Sequence, residues 1–152
     1  MINLGDAAPD FSVSDETGKI HTLKDYAGKP LVLYFYPKDD TPGCTAESCD
    51  FRDNLKAFGK LGVAVLGVSK DSAASHVKFK KKYDLNFPLL ADTDGKMVEA
   101  YGVWTEKSMY GKKYMGIDRS TFVIDQAGTI VALWRKVKVE GHVGDVIDAL
   151  KK

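Results

Sequence analysis

Cysteine is scarce in this 152-residue chain, which carries two, Cys44 and Cys49. Two cannot build the multi-bridge framework of a small secreted domain, so any bridge has to be one specific pair. Long hydrophobic runs are missing as well. The longest, Leu31 to Tyr36, falls far short of the roughly 20 apolar residues of a membrane-spanning helix, so no membrane is expected as a partner. Charge of one sign is also missing: 22 basic and 21 acidic residues leave a net +1. That speaks against a broad electrostatic partner such as nucleic acid. The basic runs Lys80 to Lys82 and Arg135 to Lys138 are short and read as solvated faces. No segment is low in complexity and no unit repeats. The first residues, Met1 to Asp6, have no basic start, long apolar stretch or cleavage pattern, so export is not expected. The expected compartment is the reducing cytoplasm, where persistent structural disulfides are rare.

What is present is an ordinary globular mixture, 44% hydrophobic and 28% charged, of a length that suits one domain over residues 1–152. Phe11 to Val13 and Ile20 to Leu23 flank Asp15-Glu16-Thr17-Gly18 and read as a small hairpin. Leu31 to Tyr36 reads as a strand buried on both faces, ended by Pro37. A helix is expected after Gly43, with Phe51, Leu55 and Phe58 on one face and Gly59 as its stop. Val63 to Val68 is a second buried strand, and Asp71 or Ser72 can cap the helix after it. Pro88 to Ala91 is a short strand, and Met97, Val98 and Tyr101 suggest a short helix closed by Gly102. Thr121 to Ile124 and Ile130 to Trp134 bracket a hairpin turn, with Trp104 and Tyr110 left in a loop before them. Val143, Val146, Ile147 and Leu150 mark a C-terminal amphipathic helix. Strands alternating with helices imply an α/β domain around a largely parallel sheet with an antiparallel edge.

The informative stretch runs from Pro37 to Cys49. It joins a buried strand to a helix, so it belongs at the C-terminal edge of the sheet, where open α/β sheets place their sites. Pro42 suits a helix start and disfavours helical geometry at Thr41. Cys44 then falls in the first turn, where free N–H groups and the helix dipole favour a thiolate, the reactive form. Two inert, buried cysteines are the plain alternative. In a regular helix Cys44 and Cys49 have Cα atoms ~8.6 Å apart, whereas bridged cysteines need less than about 7 Å. Either they never pair, or pairing unwinds the first turns. The spacing also differs from the Cys-x-x-Cys of thiol–disulfide oxidoreductases.

Pro37-x-x-x-Thr41-x-x-Cys44 resembles the active-site signature of the peroxiredoxins. The longer string Phe35-Tyr36-Pro37-Lys38-Asp39-x-Thr41-Pro42-Gly43-Cys44-Thr45-x-Glu47 is similar to the bacterioferritin comigratory protein, or peroxiredoxin Q, branch. So are Asn3 to Phe11, Leu66-Gly67-Val68-Ser69, Glu106-Lys107-x-x-x-Gly111-Lys112 and Gly116-Ile117-x-Arg119-Ser120-Thr121-Phe122. The resemblance implies a thioredoxin-like α/β fold with an N-terminal β-hairpin extension and a mixed central sheet flanked by helices. It implies an antioxidant thiol peroxidase that reduces hydrogen peroxide and organic hydroperoxides with no metal or organic cofactor. Its partners would be the peroxide and thioredoxin or a similar dithiol reductant, and members of the branch are often monomers.

Residue by residue, the resemblance makes Cys44 the peroxidatic cysteine, oxidised to a sulfenic acid. Thr41 becomes the hydroxyl that helps bind the peroxide oxygens, and Pro37 the residue that shields the sulfur. Arg119 becomes the arginine held against thiolate and substrate, oriented by the carboxylate of Glu47. Cys49 becomes the resolving cysteine of an atypical two-cysteine member, closing an intramolecular Cys44–Cys49 disulfide. The chemistry suits these types. Attack on an O–O bond develops negative charge on the departing oxygen, which Arg119, the Thr41 hydroxyl and the N–H groups around Gly43 and Cys44 are expected to stabilise. Taken alone, Arg119 reads equally as a surface ion pair and Glu47 as a solvated helix residue. His21, His76 and His142 are isolated, form no zinc spacing, and are expected to face solvent. A general thiol–disulfide oxidoreductase and a redox-sensing or chaperone-like module remain as other readings.

Overall fold

The computed structural model describes residues 2–151; Met1 and Lys152, the ends of the expected domain span, lie outside it. Strands β1 (Ser12–Ser14) and β2 (Ile20–Thr22) form the expected antiparallel hairpin. The Asp15 carboxylate builds its turn, accepting from the backbone N–H and the hydroxyl of Thr17 and from the N–H of Lys19. Leu23 leaves the strand instead of extending it. Thr22 and Asp25 cap each other's backbone N–H groups and start a single 3-10 turn, Leu23–Tyr26, the reciprocal capping box.

The central sheet begins with β3 (Leu31–Phe35), buried throughout. It leads to α1 (Pro42–Asp53) and α2 (Leu55–Lys60), then β4 (Ala64–Ser69), α3 (Ala73–Tyr83), β5 (Leu89–Ala91) and α4 (Lys96–Ala100). The expected single helix after Gly43 is thus two, broken at Asn54, and Gly59 lies inside the second. Asn54 takes a bridge-region conformation and its side-chain amide donates to the Asp50 carbonyl, competing with helix continuation. Ser72, not Asp71, caps α3, through its hydroxyl and the N–H of Ser75.

Next comes a hairpin absent from the sequence expectation, β6 (Trp104–Met109) and β7 (Lys112–Ile117), where Trp104 and Tyr110 were expected in a loop. Its strands are polar and largely exposed, so they lack the apolar alternation that marks a strand. Tyr110 and Gly111 turn it with positive φ values of 52° and 78°, the primed geometry of a two-residue hairpin loop. Strands β8 (Ser120–Ile124) and β9 (Ile130–Trp134) and helix α5 (His142–Leu150) finish the chain.

The five-stranded sheet has the order β5-β4-β3-β8-β9, with β3, β4 and β5 parallel and β8 and β9 antiparallel to their neighbours. Alternate residues from Leu31 to Tyr36, along β3 and one residue past it, feed two cores. Leu31, Leu33 and Phe35 pack with Leu66, Phe122 and Tyr101 on one face. Val32, Tyr34 and Tyr36 pack with Phe51, Phe58, Phe79 and Val146 from the helices on the other. Gly67 is required where it stands: a Cβ there would lie 2.8 Å from the Tyr34 hydroxyl and 2.9 Å from Leu89 Cδ2. Among the described residues no helix is long and apolar enough to cross a membrane.

Candidate active site

Sheet register creates the site. Phe35, the last residue of β3, pairs with Ser120, the first of β8. The antiparallel match puts Arg119 at the strand edge from which the chain leaves for α1. The Arg119 carbonyl accepts from the N–H of Val137, which fixes its backbone there.

The segment between β3 and α1 is shaped residue by residue. Asp40 adopts a left-handed φ of 57°. Thr41 is the extended N-cap of α1, and Pro42 is its first helical residue, the geometry expected from proline. Cys44 therefore sits in the first turn, where N–H groups lack intrahelical acceptors. Cys44, Glu47, Ser48 and Phe51 form the buried stripe of α1, spaced as one helical face. Cys49 falls off that stripe and is half-buried.

Arg119 joins the two acids on this stripe. Its Nη2 donates to Cys44 Sγ at 3.2 Å and its Nη1 to Glu47 Oε1 at 2.8 Å. Gly43 admits the guanidinium, since a Cβ there would stand 3.1 Å from Arg119 Nη2. Burial works against the Arg119 charge, but Glu47 and Cys44 outweigh it and its pKa is raised. Burial pushes Glu47 up to about 7 against the pull of Arg119. Burial also raises the Cys49 thiol, so Cys49 is held protonated while α1 is intact. Neither cysteine is in a disulfide. On one continuous helix their Cα atoms are ~8.6 Å apart, too far for a bridge.

Thr41 departs from its expected part in one respect. Its hydroxyl hydrogen goes to the Lys38 carbonyl at 2.9 Å, which leaves Oγ1 free to accept from a peroxide O–H rather than to donate to a departing oxygen. Pro37 is exposed at the rim. Glu47, alone expected to be a solvated residue, is fully buried.

The three histidines also overturn their expectation: all are buried. His21 bonds to Asp15 and Tyr26, His76 to Asp39 and His142 to Thr121. Each sits where its polar atoms meet partners inside the fold, which isolated spacing in a sequence does not reveal. Burial pushes His142 down to about 4 and keeps it neutral. Asp39, in the segment between Pro37 and Thr41, is a position to which the sequence pattern attaches no role. Its carboxylate accepts from Tyr36, Ser75 and His76, and its N–H donates to Asp71. Asp40 accepts from Lys82 and Tyr83 at the far end of α3. Asp39, Asp71 and His76 bring three possible metal-ligand atoms within 4.8 Å of one another. Those atoms are already engaged in the hydrogen bonds just described, so the group closes on itself.

Comparison with known proteins shows the family and the fold. A family model described as the AhpC/TSA family matches residues 4–133. The Peroxiredoxin Bcp of Bacillus subtilis is 51% identical over 150 residues, covering 99% of this chain and 96% of that protein. A cysteine mutant of Xylella fastidiosa PrxQ superposes with a TM-score of 0.95 at 41% identity, over 99% of this chain and 96% of that one. The Xanthomonas campestris bacterioferritin comigratory protein, studied for alkyl peroxide reduction, superposes with a TM-score of 0.89 at 48% identity, over 93% and 90%.

Proposed function

The chain belongs to the AhpC/TSA family, among its Bcp-type thiol peroxidases, and from that premise we propose that Cys44 is the nucleophile that reduces the peroxide. One observation carries the reading: the Arg119 guanidinium stands 3.2 Å from Cys44 Sγ, at a helix start where a thiolate is favoured. The thiolate attacks one peroxide oxygen, the S–O bond forms as the O–O bond breaks, and the departing oxygen leaves with the electron pair and takes a proton. Arg119 and the N–H groups of Gly43 and Cys44 meet the charge that develops, fixed in place before reaction. Thr41 Oγ1 accepts from the peroxide hydroxyl, Pro37 screens the sulfur at the rim, and Glu47 holds Arg119 in line. The resulting sulfenic acid is the reversible rung of cysteine oxidation that condenses with a thiol. Cys49 supplies that thiol, releasing water and closing the Cys44–Cys49 disulfide.

The family takes a peroxide and a thiol reductant. For this chain the proposal is hydrogen peroxide and organic hydroperoxides as substrates and thioredoxin or a similar dithiol as reductant. It further takes residues 1–152 as one domain acting as a monomer in the cytoplasm. The single five-stranded sheet with a core on each face supports one folding unit. Intact mass after one equivalent of peroxide tests the mechanism. A loss of two hydrogens is expected, marking the disulfide; two unreacted thiols would sink the proposal.

A further inference from the structure

Among the described residues, one buried side-chain N or O atom has no hydrogen-bond partner, Glu47 Oε2. A buried ionised carboxylate with a bare oxygen is costly, and such an orphan calls for an explanation. Its sister oxygen accepts from Arg119, and the same guanidinium donates to Cys44 Sγ. One partly exposed cation therefore faces two buried acids. Among the described residues no second cation hydrogen-bonds to either acid. Asp50, also on α1, adds negative charge beside Glu47. Tyr34 on β3 is kept neutral by burial, which raises its pKa well above the ordinary value. Lys107 on β6 is near Arg119 and Cys44, but burial lowers its pKa and its ammonium is turned to the Ile117 carbonyl. His142 on α5 is neutral.

We propose that Glu47 and Cys44 hold one proton between them across Arg119: Glu47 is a carboxylic acid while Cys44 is a thiolate, and becomes the anion once Cys44 is oxidised. Arg119 then always has one anionic partner. This rests on the reading of Cys44 as the peroxidatic sulfur. Burial that lifts Glu47 to about 7 places its titration where the exchange can occur. The atoms balance. Thiolate attack forms the S–O bond, breaks the O–O bond and leaves an oxygen anion that needs one proton. The neutral sulfenic acid no longer competes for Arg119, so Glu47 ionises and releases one proton. Thiolate, peroxide and carboxylic acid become sulfenic acid, alcohol or water, and carboxylate, with no net proton drawn from solvent. Glu47 acts through Arg119 and is a positioning residue.

Difference infrared spectroscopy on Cys49→Ser, which stops at the sulfenic acid, tests this just below pH 7. The expected result is a protonated carboxyl C=O band lost on adding hydrogen peroxide and absent from Cys49→Ser/Glu47→Gln. A pH indicator should register no proton uptake per peroxide in Cys49→Ser, and one in the double variant. No carboxyl band, or one proton taken up by Cys49→Ser itself, overturns the inference even where the double variant does not fold. Intact mass separates the two claims: absence of an added oxygen on Cys44 brings down the peroxidatic reading, whereas an added oxygen with an unchanged carboxyl spectrum brings down the proton sharing alone.

Discussion

Asp39 and His76 form a buried ion pair beneath the loop that leads into α1, with His76 Nδ1 donating to Asp39 Oδ2 at 2.7 Å. The other ring nitrogen, Nε2, faces the Leu90 carbonyl at 2.9 Å, and a carbonyl only accepts. Asp39 already collects hydroxyl hydrogens from Tyr36 and Ser75, so it is the ionised acceptor and the ring carries both protons. Burial opposes that cation, but Asp39 and the Leu90 carbonyl outweigh it and the His76 pKa is raised. Helix α3 thus grips the loop twice, at Asp39 through Ser75 and His76, and at Asp40 through Lys82 and Tyr83.

His76→Gln leaves Asp39 as a buried charge without its cation, and removing one partner of such a pair costs roughly 3–5 kcal/mol. The sign with pH follows from the raised value. The wild-type contribution is fully present below the ordinary histidine pKa of about 6.5 and fades as pH climbs through the higher folded-state value. Urea unfolding of both proteins across pH should show a gap that is widest in mild acid and narrows in alkali. A gap independent of pH would contradict a charged His76.

Cys44→Ser should abolish peroxide consumption while circular dichroism stays native, because the hydroxyl is a far weaker nucleophile at the same place. Arg119→Ala should cut the second-order rate constant with peroxide by 10²-fold or more, about 2.7 kcal/mol of transition-state stabilisation. Stopped-flow intrinsic fluorescence on reduced protein measures this step alone. An unchanged constant would make the contact with Cys44 Sγ structural only.

Much of this was legible in the sequence. The five central strands are apolar runs with clean turn signals, and proline at 42 and the Pro37-to-Cys44 spacing point to a reactive helix start. What stayed hidden is what a linear pattern does not encode. The β6–β7 hairpin is polar on both strands, so alternation is missing. The break at Asn54 is a side-chain bond to a backbone carbonyl. The burial of Glu47, His76 and His142 depends on partners 72, 37 and 21 residues away. Only the fold, through the Phe35 and Ser120 register, brings Arg119 to Cys44.

Phe51 is the anchor of α1. Its ring stacks on Tyr34 at 4.4 Å between centroids and meets Phe58 in a tilted contact at 5.8 Å, with no exposed surface. Phe51→Ala should lower stability by about 3–5 kcal/mol, read as a shift of the urea midpoint. A shift under about 1 kcal/mol would mean the cavity collapses, and that α1 is held by other contacts.

The last expectation joins the spacing of the cysteines to the contacts of α1. A Cys44–Cys49 bridge cannot close across an intact helix, so closure must unravel roughly residues 43–50. Two contacts resist it: the Glu47 bond to Arg119 and the buried Ser48 hydroxyl against the Tyr34 hydroxyl at 2.8 Å. Two anchors limit it, β3 before the segment and Phe51 after it, and local opening of this kind costs less than global unfolding. Unravelling also brings the Cys49 thiol out of the burial that keeps it protonated, which makes it a better nucleophile as it comes within reach. In the disulfide form, amide exchange should quicken across 43–50 and stay slow in β3 and beyond Phe51. Tyr34→Phe removes one restraint, so disulfide formation after peroxide should accelerate severalfold while the sulfenic step is unchanged. Cys49→Ser should stop at the sulfenic acid with α1 folded, and turnover with thioredoxin should fall. A bridged protein whose 43–50 amides remain as protected as in the reduced form would refute the whole scheme, since no other route brings the two sulfurs together.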